Sequence, residues 1–203
     1  MKLHESDNGS NPLKVRMVLA EKGADIERVK YDLLAGEHRV GTYPTLNSLK
    51  TMPALELDDG TVISESIAIC RYLDHLYPEP PLFGRTPLES AQVEMWCRRV
   101  ELEVGAPCVA VIHHTAPFFA DRIEQIPQYA DAQRSRAAAA FAWLESELAD
   151  GRDYVAGEQF SMADILLMTV MRNARMMKIA LPDNADALSA WEDRVADRPS
   201  AAV

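Results

Sequence analysis

Three prolines in the run Pro78-Glu79-Pro80-Pro81 divide this chain into two stretches of different periodicity. Proline has no N–H to donate and a fixed φ, so a helix entering this run stops and a stiff connector follows. Before it, strand and helix signals alternate; after it, only helical patterns occur. The chain reads as two domains, residues 1–79 and 87–203, joined by a linker at 80–86. A length of 203 residues leaves room for two small cores.

The N-terminal half predicts the order βαβαββα. Met1 to His4 is a short apolar start, and Asn8-Gly9-Ser10-Asn11-Pro12 is a turn whose proline suits a first helical turn. Val15, Val18 and Leu19 have helical spacing, with Gly23 placed as a C-terminal stop. Residues 26–31 read as a second strand, and the irregular stretch from Leu33 to Lys50 holds only a short helix. Ala54 to Leu57 and Thr61 to Ile63 flank Asp58-Asp59-Gly60, a hairpin signal. A helix then starts within Ser64 to Ser66 and carries Ile67, Cys70 and Leu73 on one face. This order suits a small mixed sheet covered by helices on both faces.

The C-terminal half opens on Thr86-Pro87-Leu88-Glu89, a capping box with proline at the first helical position. The helix it starts runs through Val93, Trp96 and Val100. Further helices are expected over about 131–149, from the cap Ser161-Met-Ala-Asp164, and over about 185–197. The fold class is α/β followed by all-α.

Charge narrows the partners. The net charge of −10, from 21 basic and 31 acidic residues, repels phosphate backbones, and no basic run interrupts it. Nucleic acid is therefore not an expected partner. The start MKLHESDN has no apolar core of a leader, and no segment approaches eighteen apolar residues, so neither export nor a membrane span is expected. Cys70, Cys97 and Cys108 are odd in number and lack CxxC spacing, which fits buried reduced thiols in a cytoplasmic protein rather than disulfides or a metal site.

Two places carry candidate chemistry. Met52-Pro53 stands at a strand start, where a residue without an N–H must take an edge or a bend. Twelve residues after Pro53, Ser64-Glu65-Ser66 opens a helix. Serine and glutamate there are ordinary capping residues. The same free N–H groups, with the Ser66 hydroxyl, are also a ready site for a ligand carboxylate, and Glu65 could then face an ammonium.

Taken together, Met52-Pro53-Ala54-Leu55, Asp59-Gly60, Ile63-Ser64-Glu65-Ser66-Ile67-Ala68-Ile69 and Tyr72-Leu73 resemble the glutathione-binding motif of the cytosolic glutathione transferases. The resemblance implies a thioredoxin-like N-terminal domain and a helical C-terminal domain. It implies a cis bond at Met52-Pro53, with the Met52 backbone paired to the cysteinyl part of glutathione and Glu65 and Ser66 on its γ-glutamyl end. Gly36-Glu37-His38 is similar to the stretch whose histidine reaches the glycine carboxylate. Asn47-Ser48-Leu49-Lys50-Thr51 resembles the run before the cis proline, with Thr51 in place of glutamine and Lys50 able to attract a carboxylate. Tyr154-Val155-Ala156-Gly157 and Phe160-Ser161-Met162-Ala163-Asp164 resemble the family's buried structural cap. Glutathione as co-substrate, no metal, a small and mostly apolar electrophile as second substrate, and a homodimer all follow from the resemblance.

The group that ionises the thiol stays open. Gly9-Ser10-Asn11-Pro12-Leu13-Lys14 resembles a pattern in which Ser10 donates its hydroxyl to the thiolate, whereas a register ending on Val15-Arg16 puts Gly9 there; Ser10 is equally suited to capping the first helix. Arg98-Arg99-Val100-Glu101-Leu102 and Val111-Ile112-His113-His114-Thr115-Ala116-Pro117 resemble the yeast-type, theta-like members that lack a standard Tyr, Ser or Cys, in which a helical-domain histidine orients a water. That places His113 and His114 beside Ser10 as catalytic candidates, with Phe118 and Phe119 lining the acceptor pocket. A non-catalytic binding module on the same fold is the alternative.

Overall fold

The computed structural model describes all 203 residues, Met1–Val203, as two compact units: Met1–Leu82 together with Arg198–Val203, and Phe83–Asp197. No helix is long and apolar enough to cross a membrane.

The first unit contains β1 (Lys2–Glu5), α1 (Ser10–Lys22), β2 (Glu27–Lys30), the short α2 (Tyr43–Leu46), β3 (Ala54–Glu56), β4 (Val62–Ser64) and α3 (Ser66–Leu76). The strands lie in the order β2-β1-β3-β4. β1 and β2 are parallel, with α1 as their crossover, while β3 is antiparallel to both β1 and β4. The expected βαβαββα order is present.

Alternation along β1 assigns each sheet face its cover. Leu3 stands opposite Leu55, and both are fully buried. Glu5, on the same face, accepts from Arg16 of α1 (2.7 Å) and from Arg28 of β2 (3.2 Å). α1 and α3 pack against one another on that side. His4 stands opposite Ala54 on the other face, where Tyr43, Met52 and Ala54 form a core with Tyr31, Leu33, Leu46 and Val62 around it. Truncating Leu3 or Leu55 to Ala would cost about 2–5 kcal/mol, as for any well-packed core leucine.

Local signals act where they were read. Gly23 takes φ +57° at the end of α1, and the Ala24 N–H reaches the Leu19 carbonyl, so the helix stops there. Gly60 sits at φ +85° after an i to i+3 bond from its N–H to the Leu57 carbonyl, the three-residue hairpin loop that Asp58-Asp59-Gly60 predicts.

The first compact unit takes in the connector as far as Leu82 and the last six residues of the chain. The N-terminal unit extends to Leu82 because Lys22 ties the connector down: its ammonium donates to Asp74 and to the Pro80 carbonyl, and Asp74 also accepts the Leu82 N–H (2.9 Å). Arg198–Val203 belong to the first unit because Glu21 of α1 binds them. Its carboxylate accepts from the Arg198 guanidinium (2.6 Å) and from the Ser200 N–H (3.1 Å) and hydroxyl (2.6 Å).

The second unit is helical: α4 (Pro87–Arg99), a π segment (Val100–Gly105), α5 (Ala106–Thr115), α6 (Pro127–Leu148), α7 (Met162–Met176) and α8 (Asp186–Ala196). Both predicted capping boxes form, Thr86 with Glu89 and Ser161 with Asp164. Asp164 is fully buried and accepts from the Val155 N–H (2.8 Å), the Ser161 N–H (2.8 Å) and hydroxyl (3.0 Å), and the Trp191 indole (2.9 Å). This carboxyl therefore joins the α6–α7 loop, the start of α7 and α8. None of the three cysteines is in a disulfide, and all three are buried. Burial pushes the Cys70 thiol up to about 12 and that of Cys108 up to about 11, so neither is a nucleophile at neutral pH.

Candidate functional site

Register brings the N-terminal candidates to one end of the sheet. Ala54 is opposite both His4 and Ser64, so Pro53 and Glu65 each stand one residue beyond those pairs. β1 leaves the sheet at the same end, through Ser6-Asp7-Asn8 into Gly9-Ser10. β2 is parallel to β1 with Lys30 opposite Glu5, so Tyr31 and Asp32 emerge there too. Segments distant in sequence, 6–10, 31–32, 52–53 and 65–66, thus share the carboxyl-terminal edge of β1, the usual place for ligands in α/β sheets.

Each segment is held by groups that do not themselves need to face a ligand. The Met52–Pro53 bond is cis. Before it, the Thr51 carbonyl accepts from the Tyr43 hydroxyl and from the Asn47 amide (2.8 Å), which also reaches the Thr51 hydroxyl (3.1 Å). Burial pushes the Tyr43 phenol up to about 12, so it remains a donor. Lys50 lies just before, at φ +55°. His38 sits in a short 3-10 turn and is buried, rather than on the surface where a lone histidine is ordinarily found.

Glu65 is the strained residue of this set. It precedes α3 at φ +69° and ψ +118°, outside the regions that a side chain with a Cβ favours, at a cost of about 1–3 kcal/mol. No side chain caps α3, so its first N–H groups are not covered by the Glu65 or Ser64 side chains. Ser66 is its first residue and is buried. The N-terminus of α1 likewise has no side-chain cap. Gly9, at φ +97°, occupies the cap and Ser10 is the first helical residue, so Ser10 does not cap α1 as a turn serine would.

Beside these residues lies an unexpected polar relay. His4 Nε2 is 2.9 Å from a Glu56 carboxylate oxygen, and His4 Nδ1 is 3.1 Å from the Tyr31 hydroxyl. A carboxylate can only accept, so Nε2 carries a proton, and in the neutral ring the Tyr31 hydroxyl donates to Nδ1. Burial, then Glu56 and Glu37, push the Tyr31 phenol above its ordinary value. The relay fastens the segment after β2 to the sheet. Nothing in the local sequence marks it, because its three members come from three different strands or strand ends.

The second unit gathers the remaining candidates by itself. The His113 ring lies 4.4 Å from that of Phe119, and Phe118 meets Phe119 edge-on at 4.9 Å. Burial, then the neighbouring His114, hold His113 below the ordinary imidazole value, so it is neutral at pH 7. The Ile126 N–H donates to His114 Nδ1 (3.1 Å), which leaves the ring proton of neutral His114 on Nε2. Gln125 donates to the His113 and Ala116 carbonyls (both 2.9 Å), closing the turn after α5. The Thr115 hydroxyl is spent on the Val111 carbonyl (2.6 Å).

Comparison with known proteins identifies the family of both halves. Residues 9–76 match the glutathione S-transferase N-terminal domain and residues 108–199 the glutathione S-transferase C-terminal domain. Glutathione S-transferase 2 of Saccharomyces cerevisiae is 37% identical over 204 aligned residues, covering 98% of this chain and 87% of the yeast protein. The crystal structure of Gtt2 from Saccharomyces cerevisiae superposes with a TM-score of 0.90 at 36% identity, covering 98% of each chain. That of a glutathione S-transferase domain-containing protein from Marinobacter aquaeolei gives 0.91 at 36% identity, over 98% of this chain and 99% of the other. With a thioredoxin-like sheet unit, a helical unit and both halves matched, the chain belongs to the glutathione S-transferase family.

Proposed function

We propose that glutathione lies across the carboxyl-terminal edge of β1, with its thiol ionised for attack on a small, mostly apolar electrophile. The observation that carries this reading is the convergence of Met52–Pro53 and the uncapped start of α3 on one sheet end. In it, the Met52 backbone pairs with the cysteinyl residue. The Ser66 hydroxyl and the α3 N–H groups hold the γ-glutamyl carboxylate, and Glu65 faces its ammonium. His38, Lys50 and Thr51 flank the glycine end, and Gly9 and Ser10 stand near the sulfur.

Lowering a thiol pKa by two units requires about 2.7 kcal/mol of preference for the thiolate. Ser10 supplies a hydroxyl at the first position of α1. His113 and His114 are the competing source, and the Nε2 proton of His114 makes it a donor to an anion or a water rather than a base. Comparing Ser10→Ala with His114→Ala by kcat separates them. The variant of the activating group loses at least about tenfold, as expected for one lost donor to a developing anion. Losses below tenfold in both would remove both assignments.

Phe118 and Phe119 are proposed to meet the apolar body of the acceptor. The enzyme is further proposed to be a cytoplasmic homodimer, supported by Leu88, Met95 and Leu102, which recur every seven residues along α4 and the π segment and are all exposed in the single chain. A sedimentation mass of one chain at micromolar concentration would contradict the dimer.

A further inference from the structure

A cleft of about 320 Å³ opens in the first unit beside the Gly9–Ser10 turn. Asp7 and Asn8 form one wall, and Lys30, Tyr31, Asp32 and Leu34 form the other. Asn8 is two residues from Ser10, hence within about 7.6 Å of it along the backbone. With Gly9 and Ser10 proposed to stand near the sulfur, a cleft beside their turn lies within reach of the molecule under attack.

Its lining is charged. The Lys30 ammonium meets both carboxylate oxygens of Asp7, at 2.8 and 2.9 Å, and both side chains are more than half exposed. Lys30 is therefore engaged, and its hydrogen bond holds the Asp7 carboxyl below its ordinary value. Asp32 faces the same cleft, with one carboxylate oxygen accepting the Leu34 (2.8 Å) and Ala35 (2.9 Å) N–H groups. One cation stands against two anions. Leu34 is the aliphatic side chain among them, and Tyr31 turns its hydroxyl toward His4.

The geometry points to this cleft as the subsite for a polar edge of the acceptor: it selects electrophiles bearing a neutral hydrogen-bonding or cationic substituent and rejects those bearing a carboxylate. The inference rests on the glutathione reading and adds the substituent class of the second substrate. Asp7 is the determinant of the rejection, because it keeps Lys30 from pairing with an incoming anion. Rejection by an unpaired like charge is as much a source of specificity as attraction.

The test uses three S-benzyl glutathione conjugates as binding probes, with para-nitro, para-aminomethyl and para-carboxylate substituents, titrated calorimetrically alongside glutathione. The proteins are the wild type, Asp7→Asn and Lys30→Met, whose clefts carry successively different charge. The affinity ratio of the carboxylate probe to the nitro probe is expected to rise about three- to fivefold in Asp7→Asn and to fall in Lys30→Met, with the aminomethyl probe moving oppositely. These contrasts shrink at high salt, since the groups are exposed. Ratios that stay equal in all three proteins, while glutathione and the probes bind, overturn the subsite. Failure of glutathione itself to bind overturns the earlier reading instead. Because Asp7 and Lys30 are exposed, unchanged circular dichroism is expected of both variants, and a variant that loses the fold is replaced by Asp7→Ser or Lys30→Gln.

Discussion

Glu65 combines a positive φ with a side chain. Replacing it with glycine would relieve the backbone and remove the carboxylate. Glu65→Gly is therefore expected to gain about 1 kcal/mol in stability while its affinity for glutathione falls. A calorimetric melt and a glutathione titration on the same preparation check both. In the proposed site the Ser66 hydroxyl meets bound substrate and transition state alike, so Ser66→Ala is expected to raise KM for glutathione by more than it lowers kcat. Single residues were legible in the sequence where chemistry is local, as with Ser66 at a helix start. The strain at Glu65, the burial of His38 and the His4–Tyr31–Glu56 relay were not, because each depends on partners that only the folded sheet brings near.

At the scale of elements, the Thr86 and Ser161 caps, the hairpin turn and the stop at Gly23 follow from a few neighbouring positions and are legible in the sequence, whereas the starts of α1 and α3 carry no side-chain cap. Thr86→Ala is expected to cost about 1 kcal/mol, because it leaves the Glu89 N–H without its cap. Asp164→Ala should cost more, about 3 kcal/mol or beyond, since four buried donors lose one acceptor. Equilibrium denaturation of the two variants gives that ranking, and equal losses would contradict it. The π segment Val100–Gly105 was not legible: it widens the turn by one residue within an unbroken helical pattern. The polar cleft is unmarked in the sequence for another reason. Its walls come from the ends of β1 and β2, and parallel pairing leaves no short-range mark.

Over the whole molecule, the return of Arg198–Val203 to the first unit leaves no mark in the sequence. That return depends on one buried acid. Burial pushes the Glu21 carboxyl up, but the hydrogen bonds from Arg198 and Ser200 outweigh it and leave the group below its ordinary value. A depressed carboxylate contributes stability above its unfolded pKa of about 4.3, and that contribution is lost as pH falls through the folded value. Glu21→Gln should accordingly lower the melting temperature at pH 7 and narrow the gap to wild type as the solution is acidified below about pH 4. A gap that widens on acidification would contradict this role.

Everything proposed for catalysis depends on glutathione resting where Met52–Pro53 and the start of α3 meet. The direct measurement is calorimetric titration of glutathione into the wild type and Ser66→Ala. Saturable binding by the wild type that weakens about tenfold in Ser66→Ala is the predicted result, in keeping with one lost hydrogen bond to a charged group. Absence of binding heat in the wild type, or equal affinity in the two proteins, would contradict the account.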